Sequence, residues 1–321
     1  MNDGSMIQGW RFRLLLLSAI STAFGYVGFS FWGGWDDVVI AMSDIGWPVT
    51  ATALLLSLLN YVLRFVRWNN YMRQLGHKLA LTRHFQIYLA GFALTATPGK
   101  AGEALRSVLL KPQGVAYADS LAALLSERVS DIIAVLLLSV LVVLAYPQFY
   151  PIGVLFIVAC CLFALMLLPL PQRWIVHVLG RGQGKLAALV GKVIKVLART
   201  RECNPPSLVG SGIVIGLLAW GAEGFAFWLM LQQVGADISW YLAISIYCLS
   251  MLAGAASFMP GGLGGAEAAM TAMLALAGVP LHVAIAVTVL IRLATLWFAV
   301  LLGLISLLPF LKHQDELVHS S

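Results

Sequence analysis

Charge is what this 321-residue chain has least of: Asp, Glu, Lys and Arg make up 11% of it, against 60% hydrophobic residues and a mean hydropathy of +0.90. A soluble domain carries roughly 25% charged residues, so the composition points instead to a polytopic membrane protein. Cysteine is also sparse. The four present (Cys160, Cys161, Cys203, Cys248) show neither CxxC nor Cys/His ligand spacing, which argues against zinc and a redox pair, and they read as small core residues. The six histidines form no HExxH pattern, and there is neither a Walker A lysine motif nor a Ser/His/Asp order on suggestive turns. No catalytic residue, metal or cofactor is expected, the protein reads as a non-enzyme, and ATP-driven pumping by this chain alone has no support. The net charge of +6 lies almost wholly on one side of the expected membrane and calls for no nucleic acid.

A spanning helix needs roughly 20 apolar residues. Leu14–Trp32 fits. Arg11 and Arg13 precede it, but the run continues past the h-region of a signal peptide without a small-x-small site, so an uncleaved helix is expected. An acidic loop follows over Gly33–Trp47. The second span runs from about Val49 to Trp68, with Arg64 and Arg67 at its end, where they should snorkel to the interface. The segment Phe85–Thr97 is short and is broken by Pro98-Gly99, and Ala101–Leu110 is a short helical piece; together they read as a re-entrant pair. A long helix is expected over Ala118–Tyr146, a Pro-containing connection over Pro147–Pro151, and a span over Ile152–Leu168. The basic 171–205 region reads as an amphipathic surface helix between Leu186 and Leu197. Spans over Leu208–Val234 and Leu281–Leu308 flank Trp240–Met259, the Pro260-Gly261-Gly262 break, and a short helix over Gly265–Leu276.

Lys and Arg mark the cytoplasmic side. The N-terminus, the 69–84 loop, the 171–205 region and the tail are basic, whereas the 33–47, 147–151 and 235–239 connections contain neither residue. Both termini are therefore expected in the cytoplasm. Each half then has three crossings, with its Pro-Gly segment re-entrant. The expected fold is all-α: one integral membrane domain of two inverted-topology repeats, 1–147 and 148–321.

The two Pro-Gly stretches are separated by about half of the 321-residue chain. The first is Thr97-Pro98-Gly99-Lys100-Ala101-Gly102-Glu103-Ala104-Leu105-Arg106, and the second is Met259-Pro260-Gly261-Gly262-Leu263-Gly264-Gly265-Ala266-Glu267. Interrupted segments at corresponding places in two halves point to a transporter-type site near the bilayer midplane. A charge at a helix centre costs about 2.5–3.5 kcal/mol, so such residues face a cavity and pair. Lys100, Arg106, Arg128 and Arg292 stand against Glu103, Glu127, Asp131, Glu223 and Glu267. Lys100, Glu103 and Arg106 share a helix face by spacing, as do Glu127 and Asp131. Arg128 follows Pro98, and Arg292 follows Pro260, at nearly the same interval. Gly99, Gly102, Gly261, Gly262 and Gly264 leave backbone N–H groups at helix N-termini, which favour anions, and Arg matches phosphate bidentately. This suits a phosphate-bearing head group contacted by Arg106, Arg128 and Arg292. Glu103, Glu127, Glu223 and Glu267 would orient those arginines or carry protons. The alternative is a set of structural ion pairs stitching helices together.

The first of these stretches, then Glu127-Arg128-Val129-Ser130-Asp131, then Pro260-Gly261-Gly262-Leu263-Gly264 with Glu267 and Arg292, resemble in order the blocks of the flippase-like family named after the transmembrane region of lysylphosphatidylglycerol synthase. The resemblance implies a bacterial inner-membrane domain that translocates or presents anionic, lipid-linked substrates. In the multiple peptide resistance factor such a domain flips aminoacylated phosphatidylglycerol, and other relatives accompany polyprenyl-linked glycan or hopanoid pathways. This chain ends just after its last helix, without the soluble aminoacyltransferase domain, so the synthase activity is not carried over. The expected function is a flippase for an anionic or phosphate-bearing phospholipid, or a polyprenyl- or hopanoid-linked lipid. The alternatives are a membrane-embedded transferase and a non-transporting scaffold for a lipid-modifying or glycosyltransferase partner enzyme.

Overall fold

The computed structural model describes residues 35–95, 101–166, 185–257 and 259–319. The expected first span at 14–32 and residues Pro98, Gly99 and Lys100 lie outside these. Among the described residues the regular elements are helical: α1 (Trp35–Gln74), α2 (Leu81–Ala90), α3 (Ala101–Leu110), α4 (Tyr117–Ser139), α5 (Tyr150–Met166), α6 (Lys185–Cys203), α7 (Pro206–Gln233), α8 (Trp240–Ala256), α9 (Gly265–Leu276), α10 (Leu281–Arg292) and α11 (Phe298–His319). Among the described residues four stretches are long and apolar enough to cross a membrane: Val39–Gln74, Tyr117–Ala145, Pro206–Gln233 and Leu281–Phe310. The last passes through α10 and α11 because Leu293–Trp297 winds as a π-helix between them. Within the described residues α5 has 17 residues and α8 also 17, while α9 has 12.

Two expected boundaries are corrected. The acidic 33–47 stretch is not a loop, since α1 already begins at Trp35. Its chain bends at Gly46, which has φ +67°, and resumes with Pro48 in the first turn of the following helical piece. Glycine supplies the left-handed conformation and proline tolerates a helix start, where its missing N–H has no partner to lose. At the other end α1 runs past Trp68 to Gln74, because Tyr71 and Met72 bury their side chains in the core. Arg64 and Arg67 are therefore interior residues of a long helix.

The same helix explains how the bundle is turned. Leu55, Leu58, Leu59, Val62 and Val66 are exposed, while Ser57, Asn60, Tyr61, Arg64, Arg67, Trp68 and Tyr71 are buried. Intervals of three and four residues put each set on one helix face. The apolar face looks outward and the polar face inward, the arrangement a hydrocarbon surrounding favours. The exposed stripes Ile152, Leu155, Val158 and Leu162 on α5, and Leu301, Leu304, Ile305 and Leu308 on α11, repeat it.

Two apolar cores flank this polar face. One joins α7, α8, α9 and α10 around Phe227, Met230, Tyr247 and Met270, with Ile45 and Ala53 of α1. The other joins the C-terminal half of α1 to α2, α3 and the start of α4 around Trp68, Tyr88, Phe92 and Leu110, closed by Ala299 and Leu307 of α11. Cys248 sits in the first of these cores and Cys203 in the second, Cys160 is buried against Val129, Ile133 and Leu136 of α4, and Cys161 is exposed. α6, longer than expected, is fastened to the start of α4. Arg199 Nε donates to Asp119 Oδ1 at 2.6 Å, His77 Nε2 lies 2.8 Å from Asp119 Oδ2, and Asn204 Nδ2 donates to Ser126 Oγ at 2.6 Å. The hydrogen bond to Asp119 holds the Arg199 guanidinium above its ordinary range, and burial pushes the Cys203 thiol up to about 12.

α11 approaches the turn Gly91–Leu94 so closely that a Cβ on Gly303 would meet the backbone of Phe92 and Ala93. Gly303→Val is expected to destabilise the protein by about 1–3 kcal/mol through overpacking, lowering the unfolding midpoint in detergent. Gly210→Ala, inside α7 where a Cβ meets nothing within 4 Å, should leave it unchanged or raise it slightly, since alanine is the better helix former. Equal midpoints for the two variants would overturn this packing.

Candidate functional site

The polar face of α1 meets α4 at a knot of charges. Glu127 and Asp131 stand one turn apart on α4, and Arg64 and Arg67 occupy adjacent turns of α1. Arg67 Nη2 lies 2.5 Å from Asp131 Oδ1, and Arg64 Nη2 lies 3.3 Å from Asp131 Oδ2 and 3.4 Å from Glu127 Oε1. Arg106 of α3 closes the other side, with Nη1 3.0 Å from Glu127 Oε2 and Nε donating to the Tyr88 carbonyl at 3.2 Å. Its guanidinium lies 3.9 Å from the centre of the Tyr88 ring, a cation–π contact. Neutral donors complete the carboxylates: Tyr88 Oη to Glu127 Oε1 at 2.8 Å, and Trp220 Nε1 of α7 to Asp131 Oδ1 at 3.1 Å. Gly91 makes room, since a Cβ there would collide with Arg106.

The knot is rich in cations. Arg64, Arg67 and Arg106 are 8%, 1% and 1% exposed, and these three guanidiniums share two carboxylates. Among the described residues Arg64 Nε and Arg67 Nε are buried without a hydrogen-bond partner. Leaving a buried donor unmade costs about 1–3 kcal/mol, and more on a charged group. Arg128 joins from the outer side of α4. Its nitrogens lie 3.7 Å from Glu127 Oε1 and 3.6 Å from Asp131 Oδ2, and its side chain is 26% exposed, the most accessible guanidinium of the four.

A second cluster sits at the Pro260 turn. Gly261, Gly262 and Gly264 have φ of +61°, +70° and +82°, conformations that L-residues with a Cβ rarely adopt. Glu267 Oε2 accepts from the Gly264 N–H at 2.7 Å and so caps α9, while its Oε1 lies 2.6 Å from Arg292 Nε. Arg292 Nη2 donates to the Gly261 carbonyl at 3.0 Å and Nη1 lies 3.6 Å from Met251 Sδ. Arg292 thus clamps the glycine turn to the end of α10.

Glu223 of α7 belongs to neither cluster by direct bonding. Its donor is the Tyr247 hydroxyl of α8, at 2.7 Å from Oε2. Nearby, Tyr61 Oη donates to the Thr295 carbonyl in the π-helical segment at 2.5 Å.

Of the residues singled out from sequence, Arg106, Glu127, Arg128 and Asp131 come together, and Gly261, Gly264, Glu267 and Arg292 form the second group. Gly102 and Glu103 begin α3 and Pro260 opens the second turn; Pro98, Gly99 and Lys100 lie outside the described residues. Arg64 and Arg67, expected to snorkel, are instead buried partners of Glu127 and Asp131. A signal for them was present: Ser57, Asn60, Arg64, Arg67 and Tyr71 recur at three- and four-residue intervals, a polar stripe in an apolar helix. Tyr88, Trp220 and Tyr247 had no such signal, since single aromatics in apolar helices are common.

Helices that bury charge inward and aliphatic side chains outward, several of them long enough to cross a bilayer, define a polytopic membrane protein. The chain belongs to the family described as the lysylphosphatidylglycerol synthase TM region, whose model matches residues 14–303. It is similar to a UPF0104 membrane protein of Pyrococcus horikoshii, 22% identical over 90% of this chain and 94% of the relative. It is also similar to a UPF0104 membrane protein of Methanothermobacter thermautotrophicus, 23% identical over 85% and 87%, and to one of Methanocaldococcus jannaschii, 24% identical over 88% and 91%. These relatives are archaeal, and their names state a membrane location and no activity.

Removing one member of a buried ion pair costs about 3–5 kcal/mol because the other charge is stranded. Asp131→Asn is expected to lose stability of that order, while Trp220→Phe, which removes one hydrogen bond, should lose about 1 kcal/mol. Denaturant unfolding in mixed micelles reads both, and equal losses would show that Asp131 does not anchor the arginines.

Proposed function

We propose that this protein is a lipid flippase that moves an anionic, phosphate-bearing lipid between the leaflets of the cytoplasmic membrane. The head group would be held at the arginine knot while its hydrocarbon tails stay in the bilayer. The observation that carries this reading is the knot's composition: among the described residues three buried guanidiniums share two carboxylates, with Nε donors of Arg64 and Arg67 left without a hydrogen bond. Phosphate supplies the negative charge and acceptor oxygens that such an arrangement leaves wanting. Arg128, partly exposed, is the first contact, and Arg64, Arg67 and Arg106 form the seat. Arg292, Glu267 and the Pro260 glycines hold the second broken segment in shape. An apolar crevice of about 430 Å³ between the end of α4, α5, α8 and α9, lined by Tyr146, Phe156, Ile246 and Met273 among others, suits a hydrocarbon chain.

In this reading the short pairs α2–α3 and α8–α9 are re-entrant, the two halves of the chain are inverted repeats, and both termini are cytoplasmic. The order of elements supports it, since a short helix, a glycine-containing turn and a second short helix precede a long apolar helix in each half. The protein then acts as a transporter and not as an enzyme. A second reading, a lipid-binding scaffold for a lipid-modifying partner enzyme, draws on α6: a basic helix fastened to α4 through Asp119 and Ser126 makes a fixed cytoplasmic platform.

The test is native mass spectrometry of the detergent-purified protein, followed by a flipping assay in liposomes. Wild type is expected to retain an anionic phospholipid or lipid phosphate. Loss of one charge-assisted contact, about 1.5–3 kcal/mol, predicts roughly 10- to 100-fold weaker retention for Arg128→Ala. Lys195→Ala on α6 should leave retention unchanged. Retention indifferent to Arg128 but lost with Lys195 would replace the flippase reading by the scaffold.

A further inference from the structure

Among the described carboxylates of the interior, Glu127, Asp131 and Glu267 are each bonded to a guanidinium, at 3.0, 2.5 and 2.6 Å. Glu223 is equally buried, 5% exposed in a helix long enough to span, yet its hydrogen bond comes from a phenol. A carboxylate bonded to a guanidinium keeps its charge, because the pair is neutral as a whole. One bonded to a hydroxyl in an apolar surrounding has a second stable form, in which it carries a proton and still accepts from the phenol.

The position of Glu223 gives that difference a consequence. The charged and titratable groups acting with it come from every neighbouring helix: Tyr61 and Arg64 from α1, Asp131 from α4, Tyr247 and Cys248 from α8, and Arg292 from α10. Glu223 lies one turn along α7 from Trp220, whose ring is 5.5 Å from the Arg64 guanidinium, and its partner Tyr247 lies one turn along α8 from Met251, which Arg292 touches, so the pair stands between the knot and the second cluster. When ionised, Glu223 supplies negative charge to Arg64 from a third direction, in competition with any anion entering the knot. When protonated, it withdraws that charge, and the surplus on the arginines is open to a ligand.

We propose that Glu223, with Tyr247 as its hydrogen-bond partner, is a proton-loading site coupled to anion occupancy of the arginine knot. The inference rests on the head-group reading above and adds a stoichiometric partner to it: a proton accompanies the phosphate group. The step is a simple protonation. A proton from water adds to a Glu223 carboxylate oxygen as the anion binds and returns to water when the anion leaves, and no other bond is made or broken. Glu127 and Asp131 stay bonded to their arginines throughout.

Infrared difference spectroscopy of the full chain in nanodiscs tests this directly, with short-chain phosphatidic acid as the probe anion. In wild type a protonated-carboxyl C=O band is expected to appear on acidification, to shift in Tyr247→Phe and to vanish in Glu223→Gln. At an intermediate pH, phosphatidic acid should increase the band in wild type. Glu223→Gln should still bind the probe, without proton uptake. A band that survives in Glu223→Gln, or none in wild type, overturns the assignment to Glu223. A Glu223 band that titrates but ignores phosphatidic acid, although the probe binds and Arg128→Ala weakens its binding, overturns the coupling and leaves the head-group seat standing. A titrating Glu223 band with no phosphatidic acid binding overturns the coupling too, this time because the head-group reading itself has failed.

Discussion

The contact between α1 and α4 organises the interior of this protein. Each charge placed inside a membrane helix costs about 2.5–3.5 kcal/mol unless something answers it, and here four arginines and two acids answer one another in a small volume. The answer requires register. Arg64 and Arg67 present their guanidiniums at the heights of Glu127 and Asp131, so the two helices are held along their axes as well as side by side. α7 completes the arrangement. Trp220 bonds Asp131, the Gly212 carbonyl accepts from Arg67 Nη1 at 3.4 Å, and a Cβ on Gly216 would stand 3.2 Å from that same nitrogen. Glycine on α7 is thus what lets the arginine lie flat between the helices.

The two broken segments have come to different ends. At the second, one arginine meets one glutamate, and both also bond the backbone of the glycine turn, so charge is matched and geometry is secured. Beside α3, among the described residues, cations outnumber their acidic partners and the Nε donors of Arg64 and Arg67 go unmade. A structure built only for stability would have little reason to keep those donors, since replacing buried ion pairs by apolar residues is often neutral or stabilising. The imbalance is therefore more informative about function than the ion pairs are. Between the two clusters, and bonded directly to neither, Glu223 and Tyr247 tie α7 to α8, and Tyr61 ties α1 to the π-helical segment of the last span. The Thr295 carbonyl accepts both this phenol and the backbone N–H of Phe298, so the π-helical turn is held to α1 by a carbonyl with two donors.

Much of the fold was legible in the chain. The apolar runs placed α4, α7 and the last span within a few residues, and the Pro260-Gly261-Gly262 stretch marked where α8 gives way to a turn. Legibility failed at 33–47, where acidic residues suggest a loop although the four-residue spacing of Ala41 and Ile45 allows a helix, and at Arg64 and Arg67, where Trp68 reads as the helix end. The second of these hides two of the knot's four arginines, because a snorkelling arginine and a buried one differ only in how far the helix continues.

By itself the sequence determined that the chain belongs in a membrane and which residues would be too costly to leave unpaired there, because hydropathy and charge are properties of residues taken one at a time. It also marked the glycine turns, whose left-handed conformations follow from local sterics. Only the tertiary structure decided which charge answers which. Pairing depends on helix register and rotation, and these are settled jointly by side chains as far apart in the chain as Arg67, Asp131 and Trp220. Glu223 illustrates the limit. In sequence it is one intramembrane acid among several, and it is set apart only when the bundle places a tyrosine, and not an arginine, against it.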